Sequence, residues 1–519
     1  MNRDALFAGI AAQREFDVAI IGGGATGAGI AWDAASRGLS TLLVERGDFG
    51  QGTSSKSTKL IHGGVRYLAQ GQLGLVRESL QERRLLLANA TAHVRPLRFM
   101  VPFEGWFDRL KYHTGLTVYD LLASSPQPSR RLSREEFRAH TPNLQPRFTG
   151  GMAYSDAQFD DSRLLLSVLT RAVAHRAVVV NYAEVVGFGK RRDGRLGSLV
   201  IHDHETAKTC EIEARIVINA TGPSTAATAR LDDGAGAPEI TLSRGSHVVV
   251  SREFWPCESA LLMPRTPDGR VMFAIPWHDH VLLGTTDVLI DGTAGASLPV
   301  CASANEVDFI LEMASRYFEH APKINDVRAC FAGVRPLAGG TTTATARVSR
   351  EYQLTTSPAG LISITGGKWT TFRRMAAACV DYALAQHPLQ ASCSTTATEL
   401  LPSRIELHSN NLMQQPQESA SLPETTPLVD GLSYHQGDAV RAIRFEMARH
   451  VEDILARRTR CLFLNAAAAS AAAPKVAALL ASELGHDATW IATELVAFQR
   501  CAASYQLPDR HPGDRALIP

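Results

Sequence analysis

Three glycines spaced as Gly22-x-Gly24-x-x-Gly27, with Ala25 and Thr26 between the last two, are the first residues of this chain whose types and spacing imply chemistry. That chemistry is the holding of a dinucleotide. The first glycine permits a tight turn, the second lets backbone approach a pyrophosphate, and the third lets helix and strand pack closely. Glu45, followed by Arg46, stands about 20 residues further on, where a carboxylate hydrogen-bonds ribose hydroxyls, and an acid there argues against a 2′-phosphate. Two later stretches repeat the theme. Ala220-Thr221-Gly222 closes the apolar run 216–218, and Gly366-Gly367-Lys368 leads through Trp369 and Thr370 into a helix, offering N–H groups and a positive dipole end to an electron-rich ring.

The elements that position these residues follow from periodicity. Residues 16–21 form an apolar, β-branched run expected of a strand buried on both faces of a parallel sheet. A helix over 28–37 ends at Gly38, and a second strand over 39–44 delivers Glu45. A glycine-rich turn alone is common, but here strand, glycines, helix, strand and acid stand in order. Further on, helices are expected over 73–90, 162–175, 306–318 and 366–387, and strands over 178–180, 185–218 and 352–365. The alternation across 240–290, with a Pro-Asp-Gly turn, predicts antiparallel strands of a separate substrate domain. Residues 99–122 mix aromatic and basic side chains, read first as a partly buried helix pair and second as an interfacial amphipathic segment. The stretch 124–134 reads as a surface loop and 338–346 as a mobile one. A Ser/Thr/Pro/Gln-rich linker over 391–435 precedes helices. Val440, Ile443, Met447, Val451 and Ile454 share one helical face, Pro474 opens a second helix closed by Gly485, and Ile491, Leu495, Phe498 and Tyr505 line a third.

A chain of 519 residues can bury several cores, so two or three domains are expected. The net charge of +1 gives no support for a nucleic-acid partner. Eight cysteines without C-x-x-C spacing argue against zinc and a dithiol centre, and no metal site is expected. The first residues are unlike a secretory signal, and no stretch reaches the ~18 apolar residues of a spanning helix, so any membrane contact is expected to be peripheral.

After Glu45 the chain runs into TSSKSTKLIHGGVRYL, where a simple nicotinamide domain would return to a helix and strand. With GGGATGAGIAWDAASRG, RGSHVVV, IPW…GTTD, AGVRPL, SREYQL and GGKWTTFR, this segment resembles the FAD-dependent glycerol-3-phosphate dehydrogenases of the D-amino-acid oxidase-like superfamily. The resemblance implies an α/β fold with an FAD-binding Rossmann-like domain, an inserted antiparallel β-rich substrate domain and a C-terminal helical domain. On it, 14–390 forms the oxidoreductase domain, with FAD-binding segments near 14–75, 150–235 and 330–390, substrate segments near 76–150 and 236–330, and helices over 436–519. It adds Thr53, Ser54, Ser55, Lys59, Leu60, His62, Gly63 and Gly64 to the FAD contacts, although Lys56 and Lys59 read equally as solvated, and His62 as a support of its loop. It places Arg66, Tyr67, His247, Arg335 and Lys368 against the substrate, with Arg350 a weaker carry-over.

Oxidising glycerol 3-phosphate to dihydroxyacetone phosphate needs hydride transfer to flavin N5, donors for a phosphate and an acceptor for the hydroxyl proton. Arg335 is the first choice for phosphate, with Arg66 and Lys368 adding charge, and His247 is the candidate base. The family passes electrons to quinone, which implies a peripheral place on the cytoplasmic face of the inner membrane and is compatible with a homodimer. Asp287 reads as fixing a turn. Where the family often carries acids, this chain has Ala-Gly-Gly-Thr-Thr-Thr after Leu337. Three rivals remain at this point: a same-fold flavoenzyme acting on an amine or 2-hydroxy acid, a flavin-binding regulator without turnover, and a nicotinamide dehydrogenase.

Overall fold

The protein is described by a computed structural model that defines residues 3–13, 15–68, 71–123, 128–232, 236–264, 266, 271–290, 300–339, 351–405, 407 and 425–509. The apolar run before the glycines forms the strand Glu15–Ile21, whose last four residues are buried. It pairs in parallel with Thr209–Asn219 on one side and Thr41–Val44 on the other, and Ile362–Gly366 and Val178–Val180 extend the sheet in parallel beyond them. Tyr352–Thr356 adds an antiparallel edge, and the hairpin Ala183–Lys190 with Leu196–Asp203 branches from Thr209–Asn219. The helix Ala25–Ser36 packs against Asp161–Ala174 and Phe372–Gln386. It begins three residues before the predicted start because Gly24 serves as its N-cap in extended conformation.

The second sheet has ten strands among the described residues, in the order Val288–Ile290, Ile240–Ser251, His280–Gly284, Met272–Trp277, Ala260–Met263, Val94–Phe103, Gly150–Phe159 and Leu60–Ile61, with Val327–Ala338 and Arg130–Leu132 joined at the sides. The alternation over 240–290 becomes the antiparallel pairing of this sheet. Its strands at 60–61, 150–159 and 327–338 come from segments that the sequence places with the cofactor, so this sheet draws on more of the chain than 76–150 and 236–330. The stretch 99–122 differs too. It is the end of the strand Val94–Phe103 followed by the helix Trp106–Ala123. The last five residues of that strand are buried without interruption, so they carry no alternation by which a strand could be told from a helix.

In the C-terminal part, all five residues of the predicted face are buried, yet the helix is broken. Gln436–Phe445 ends, Met447 takes a left-handed φ of 56°, and Asp453–Arg458 forms a wide π-helical turn. The charged residues between force the break: Asp453 turns its carboxylate back onto the backbone N–H groups of Arg449 and His450 at 2.8 and 3.0 Å. Pro474 does not open a helix. Ala466–Leu484 runs through it, capped by the Asn465 side chain at 3.0 Å and ended by Gly485 at φ 77°, because the alanine run outweighs one missing N–H. Of the expected linker, 392–405 lies against the first domain. Ser392 N–H reaches Arg37 O at 2.9 Å and Ser394 Oγ reaches Asp33 at 2.6 Å. Residues 408–424, and 340–346 of the expected mobile loop, lie outside the described residues.

Charge fixes the C-terminal helices to the rest. Asp48, in the loop after Glu45, is fully buried and receives Arg458 through Nη1 and Nη2 at 2.6 and 2.8 Å and Arg457 through Nε. Burial pushes the Asp48 carboxyl up, and the two guanidiniums more than reverse this, holding it at about 2. His450 bridges Glu494 at 2.8 Å and Glu205 at 3.1 Å. Burial alone would lower this imidazole, but the two carboxylates raise it well above its ordinary value. A raised pKa adds stability that is complete below the unfolded value near 6.5 and is lost as pH rises through the folded one. Thermal unfolding scanned from pH 6 to pH 9 should therefore show wild type losing about 1.5 kcal/mol that His450→Gln never had, the low end for a charge-assisted bond because the side chain is 30% exposed. Parallel pH slopes for the two proteins would remove His450 from this role.

Candidate functional site

The carboxyl ends of four parallel strands, Glu15–Ile21, Thr41–Val44, Thr209–Asn219 and Ile362–Gly366, open onto a cavity of about 540 Å³. Ligands of open α/β sheets bind at such a crest. Gly22, Gly24, Ala25, Thr26, Glu45, Arg46, Thr53, Ser54, Lys56, Ala220, Thr221, Gly222, Gly367 and Lys368 line it. The helix Ala25–Ser36 meets this cavity with no side-chain cap of its own at Gly24. A Cβ on Gly27 would stand 1.9 Å from Gly22 O, and one on Gly22 would stand 2.7 Å from Ala220 O, so backbone alone fits there. The Glu45 carboxylate accepts Gly23 N–H at 2.7 Å and Gly47 N–H at 2.9 Å, tying the glycine turn to the acid strand. Burial raises its pKa against the pull of these two N–H groups.

A second cavity, about 580 Å³, lies on the other side of the strand Val327–Ala338. Ala332, Val334 and Pro336 of that strand line the first cavity while Arg335 lines the second, as the two-residue period of a strand requires. Thr58, Leu60, His62 and Gly64 also line the second cavity, with Tyr67, Tyr154, Thr285, Thr286 and Asp287. Arg335 is held by Thr285 Oγ1 at 3.0 Å, Thr286 O at 3.2 Å and Asp287 Oδ1 at 3.3 Å. Gly245 makes room for it, since a Cβ there would meet the guanidinium at 2.2 Å. Lys368 reaches back from the first cavity, its Nζ 2.7 Å from Ser79 Oγ and 4.7 Å from the centre of the Tyr67 ring. His247 is buried behind the second cavity, its ring stacked on Phe331 at 4.8 Å and its Nε2 3.0 Å from Thr58 Oγ1. Burial first, then the cations Arg335 and Lys59, hold this imidazole well below its ordinary value, so it is neutral at pH 7.

A cofactor cradle beside a cationic pocket is the geometry onto which the comparisons with known proteins fall. Residues 17–373 match the family model of FAD-dependent oxidoreductases, and 335–490 match the C-terminal domain of alpha-glycerophosphate oxidase. The human mitochondrial glycerol-3-phosphate dehydrogenase is 35% identical, over 94% of this chain and 73% of its own. The Mycobacterium leprae glycerol-3-phosphate dehydrogenase is 34% identical, over 96% of this chain and 90% of its own. The chain belongs to the FAD-dependent glycerol-3-phosphate dehydrogenase family. Among solved structures, the glycerol-3-phosphate dehydrogenase of Bacillus halodurans, complexed with FAD, superposes with a TM-score of 0.75 at 26% identity over 97% of each chain. The L-alpha-glycerophosphate oxidase of Mycoplasma pneumoniae shares the fold, with a TM-score of 0.56 at 20% identity over 73% of this chain and 97% of its own.

FAD is the cofactor of this glycerol-3-phosphate dehydrogenase family member, and the first cavity fits it. The helix start with Gly22 and Gly24, where the Ala25 N–H donates to Ser54 Oγ at 2.9 Å, suits the pyrophosphate, and the Gly366-Gly367 turn, both residues at positive φ, suits an approach of backbone to the ring. The structure brings most of the expected contacts to this cavity but distributes the rest. Leu60, His62 and Gly64 face the second cavity instead. Thr370 is buried and bonds the backbone of His62, and Gly63 N–H is held by Tyr119 and Asp156 at 3.0 and 3.2 Å. Ser55 is buried beneath the loop. Lys59 points away from both cavities into a box of Trp277, Phe331 and Phe463, paired with Asp161 at 2.6 Å. Burial, against the pull of Asp161, brings its pKa down to about 7. Arg66 lies in the short helix Val65–Leu68 and its side chain is outside the described residues, as is all of Arg350. Among the described residues no cluster could hold a metal ion. Thr58 and the Thr285–Asp287 clasp of Arg335 are the members that sequence reasoning missed as a site. The GTTD motif was the available signal, read as a turn because the partner of Asp287 is far along the chain.

Proposed function

We propose that this protein oxidises sn-glycerol 3-phosphate to dihydroxyacetone phosphate and passes the electrons to a quinone. The observation that carries the reading is Arg335, a clasped guanidinium whose two neighbours in the strand line the flavin cradle while it faces the second cavity. A fixed fork of this kind binds a phosphate bidentately, and Lys368 adds charge toward the flavin edge. Bound flavin supplies the two-electron acceptor at N5. His247, neutral and buried, takes the hydroxyl proton, and Arg335 and Lys368 stabilise the negative charge that develops on the substrate oxygen. The test is an anaerobic titration of the purified yellow protein with glycerol 3-phosphate. Bleaching by this compound but not by glycerol is expected. Bleaching by an amine or 2-hydroxy acid without phosphate dependence would replace this substrate with the other class, and a flavin that no substrate reduces would leave a binding protein.

No helix among the described residues is long and apolar enough to cross a membrane. A peripheral contact is supported by the helix Trp106–Ala123, which exposes Trp106 (77%), Phe107 (64%), Leu110 (57%) and Leu121 (81%) on one side, with exposed Arg109 and Lys111 beside them. Apolar side chains flanked by cations suit the interface of an anionic bilayer. It supports a place for the protein on the cytoplasmic face of the inner membrane, where quinone is available. Co-sedimentation with vesicles containing anionic phospholipid should fall at least about tenfold in the double variant Leu110→Glu, Leu121→Glu, each change moving a charge into the apolar layer. Unchanged sedimentation would reassign the contact to another surface.

A further inference from the structure

His247 does not line the second cavity, and its ring has no free path into it. One face is stacked on Phe331, with an interplanar angle of 16°, and the ring edge lies against Gly284, where a Cβ would meet Cδ2 at 2.5 Å. Its Nδ1 has no hydrogen-bond partner among the described residues, and its Nε2 meets Thr58 Oγ1. Thr58 does line the cavity, on the same wall as Tyr67 and Arg335. Its hydroxyl therefore stands between the buried imidazole and the space in which the substrate is bound.

We propose that Thr58 is a catalytic residue that relays the proton of the substrate hydroxyl to His247. The proposal rests on the oxidation of glycerol 3-phosphate argued above. A hydroxyl donates one hydrogen and accepts through its lone pairs, so it can take a proton on one side while giving one on the other. Once the C2 hydroxyl of the substrate donates to Thr58 Oγ, the hydrogen of Thr58 must point to Nε2. Substrate binding thereby selects the tautomer protonated at Nδ1. In the reaction the C2–H bond breaks with its electron pair, which leaves as hydride to the flavin. The C2 O–H bond breaks toward Thr58 Oγ, the Thr58 O–H bond breaks toward Nε2, and the C2=O double bond forms. Two electrons leave with the hydride, and one proton ends on the imidazole. The substrate phosphate beside Arg335 offsets one of the two cations that, with burial, disfavour the imidazolium.

The test is flavin reduction by glycerol 3-phosphate in stopped flow, in mixtures of H₂O and D₂O. For wild type, the rate should fall along a curve as deuterium rises, because two protons move, whereas a straight line would overturn the relay. Thr58→Val keeps the shape and removes the hydroxyl. It should retain its bound-flavin spectrum, slow reduction by about 10²-fold or more and lose the acidic limb of the pH profile that reports His247. Thr58→Ser should recover to within about tenfold with the curved isotope dependence restored. A valine variant that reduces its flavin within about threefold of wild type and keeps the acidic limb would overturn the relay alone. A wild-type flavin left oxidised by glycerol 3-phosphate would overturn the substrate reading and the relay with it.

Discussion

Replacing Arg335 by alanine is expected to lower kcat/KM for glycerol 3-phosphate by about 10²–10³-fold. Two charge-assisted bonds to one phosphate, at about 1.5–3 kcal/mol each, give at least that much when both are lost. The loss should raise KM, because the phosphate is bound equally before and during hydride transfer, and should also lower kcat to the extent that Arg335 stabilises the charge developing on the substrate oxygen. Arg335→Lys should restore only part of the affinity. An ammonium keeps the charge but not the fork, and its single nitrogen cannot replace the two guanidinium nitrogens that meet the Thr285 hydroxyl and the Thr286 carbonyl. The flavin spectrum should be unaltered in both variants, since the side chain faces the second cavity and not the first. Steady-state kinetics with glycerol 3-phosphate and with glycerol separate the outcomes. If KM for the phosphate ester moves less than about threefold, Arg335 is not the phosphate donor.

The second large effect concerns stability. Asp48→Ala would leave Arg457 and Arg458 buried with fewer counter-charges, and breaking a buried pair on one side costs about 3–5 kcal/mol. Asp48 belongs to the loop between Glu45 and Thr53, two residues that line the flavin cradle. Thermal release of flavin, followed by the rise of its fluorescence, should therefore precede unfolding of the parallel sheet in the variant, whereas wild type releases flavin and unfolds together. The wild type also carries a pH signature. A carboxyl held at about 2 adds stability that is complete above its unfolded value near 3.8 and is lost as pH falls through the folded one, so the difference between the two proteins should shrink between about pH 4 and pH 2. Flavin release at the same temperature in both proteins would show that the loop is held by other contacts.

The cofactor cradle was legible because its signals are local. Glycines at 22, 24 and 27, the strands beside them and Glu45 lie within one stretch, and their backbone demands are met by few residue types. Around the second cavity, Arg335 and His247 stood out in the sequence by type and motif, but the way each is held did not. Thr285 and Asp287 reach Arg335 from about 50 residues away, a register that only the pairing of Ile240–Ser251 with its neighbours sets. Lys59 shows the opposite failure. A lysine among serines and threonines reads as exposed or phosphate-bound, while its fully buried state depends on Asp161, Trp277 and Phe463, none of them close in sequence. The broken helix after Phe445 was hidden for the same reason, since the apolar period continues through a stretch whose charged residues bend the backbone.

The clasp of Asp48 by Arg457 and Arg458 spans 409 and 410 positions of chain. A ribosome adding about 5–20 residues per second needs roughly 20–80 s to cover that distance. Throughout that interval the nascent Asp48 loop has neither guanidinium to neutralise it, and a lone carboxylate stays hydrated instead of entering a core. The crest of the parallel sheet is thus closed only by residues that leave the ribosome some 410 positions after Asp48. Flavin retention becomes a report that translation has passed Arg457 and Arg458, and a chain cut short before Arg457 would be colourless even though every glycine of its nucleotide fold is present.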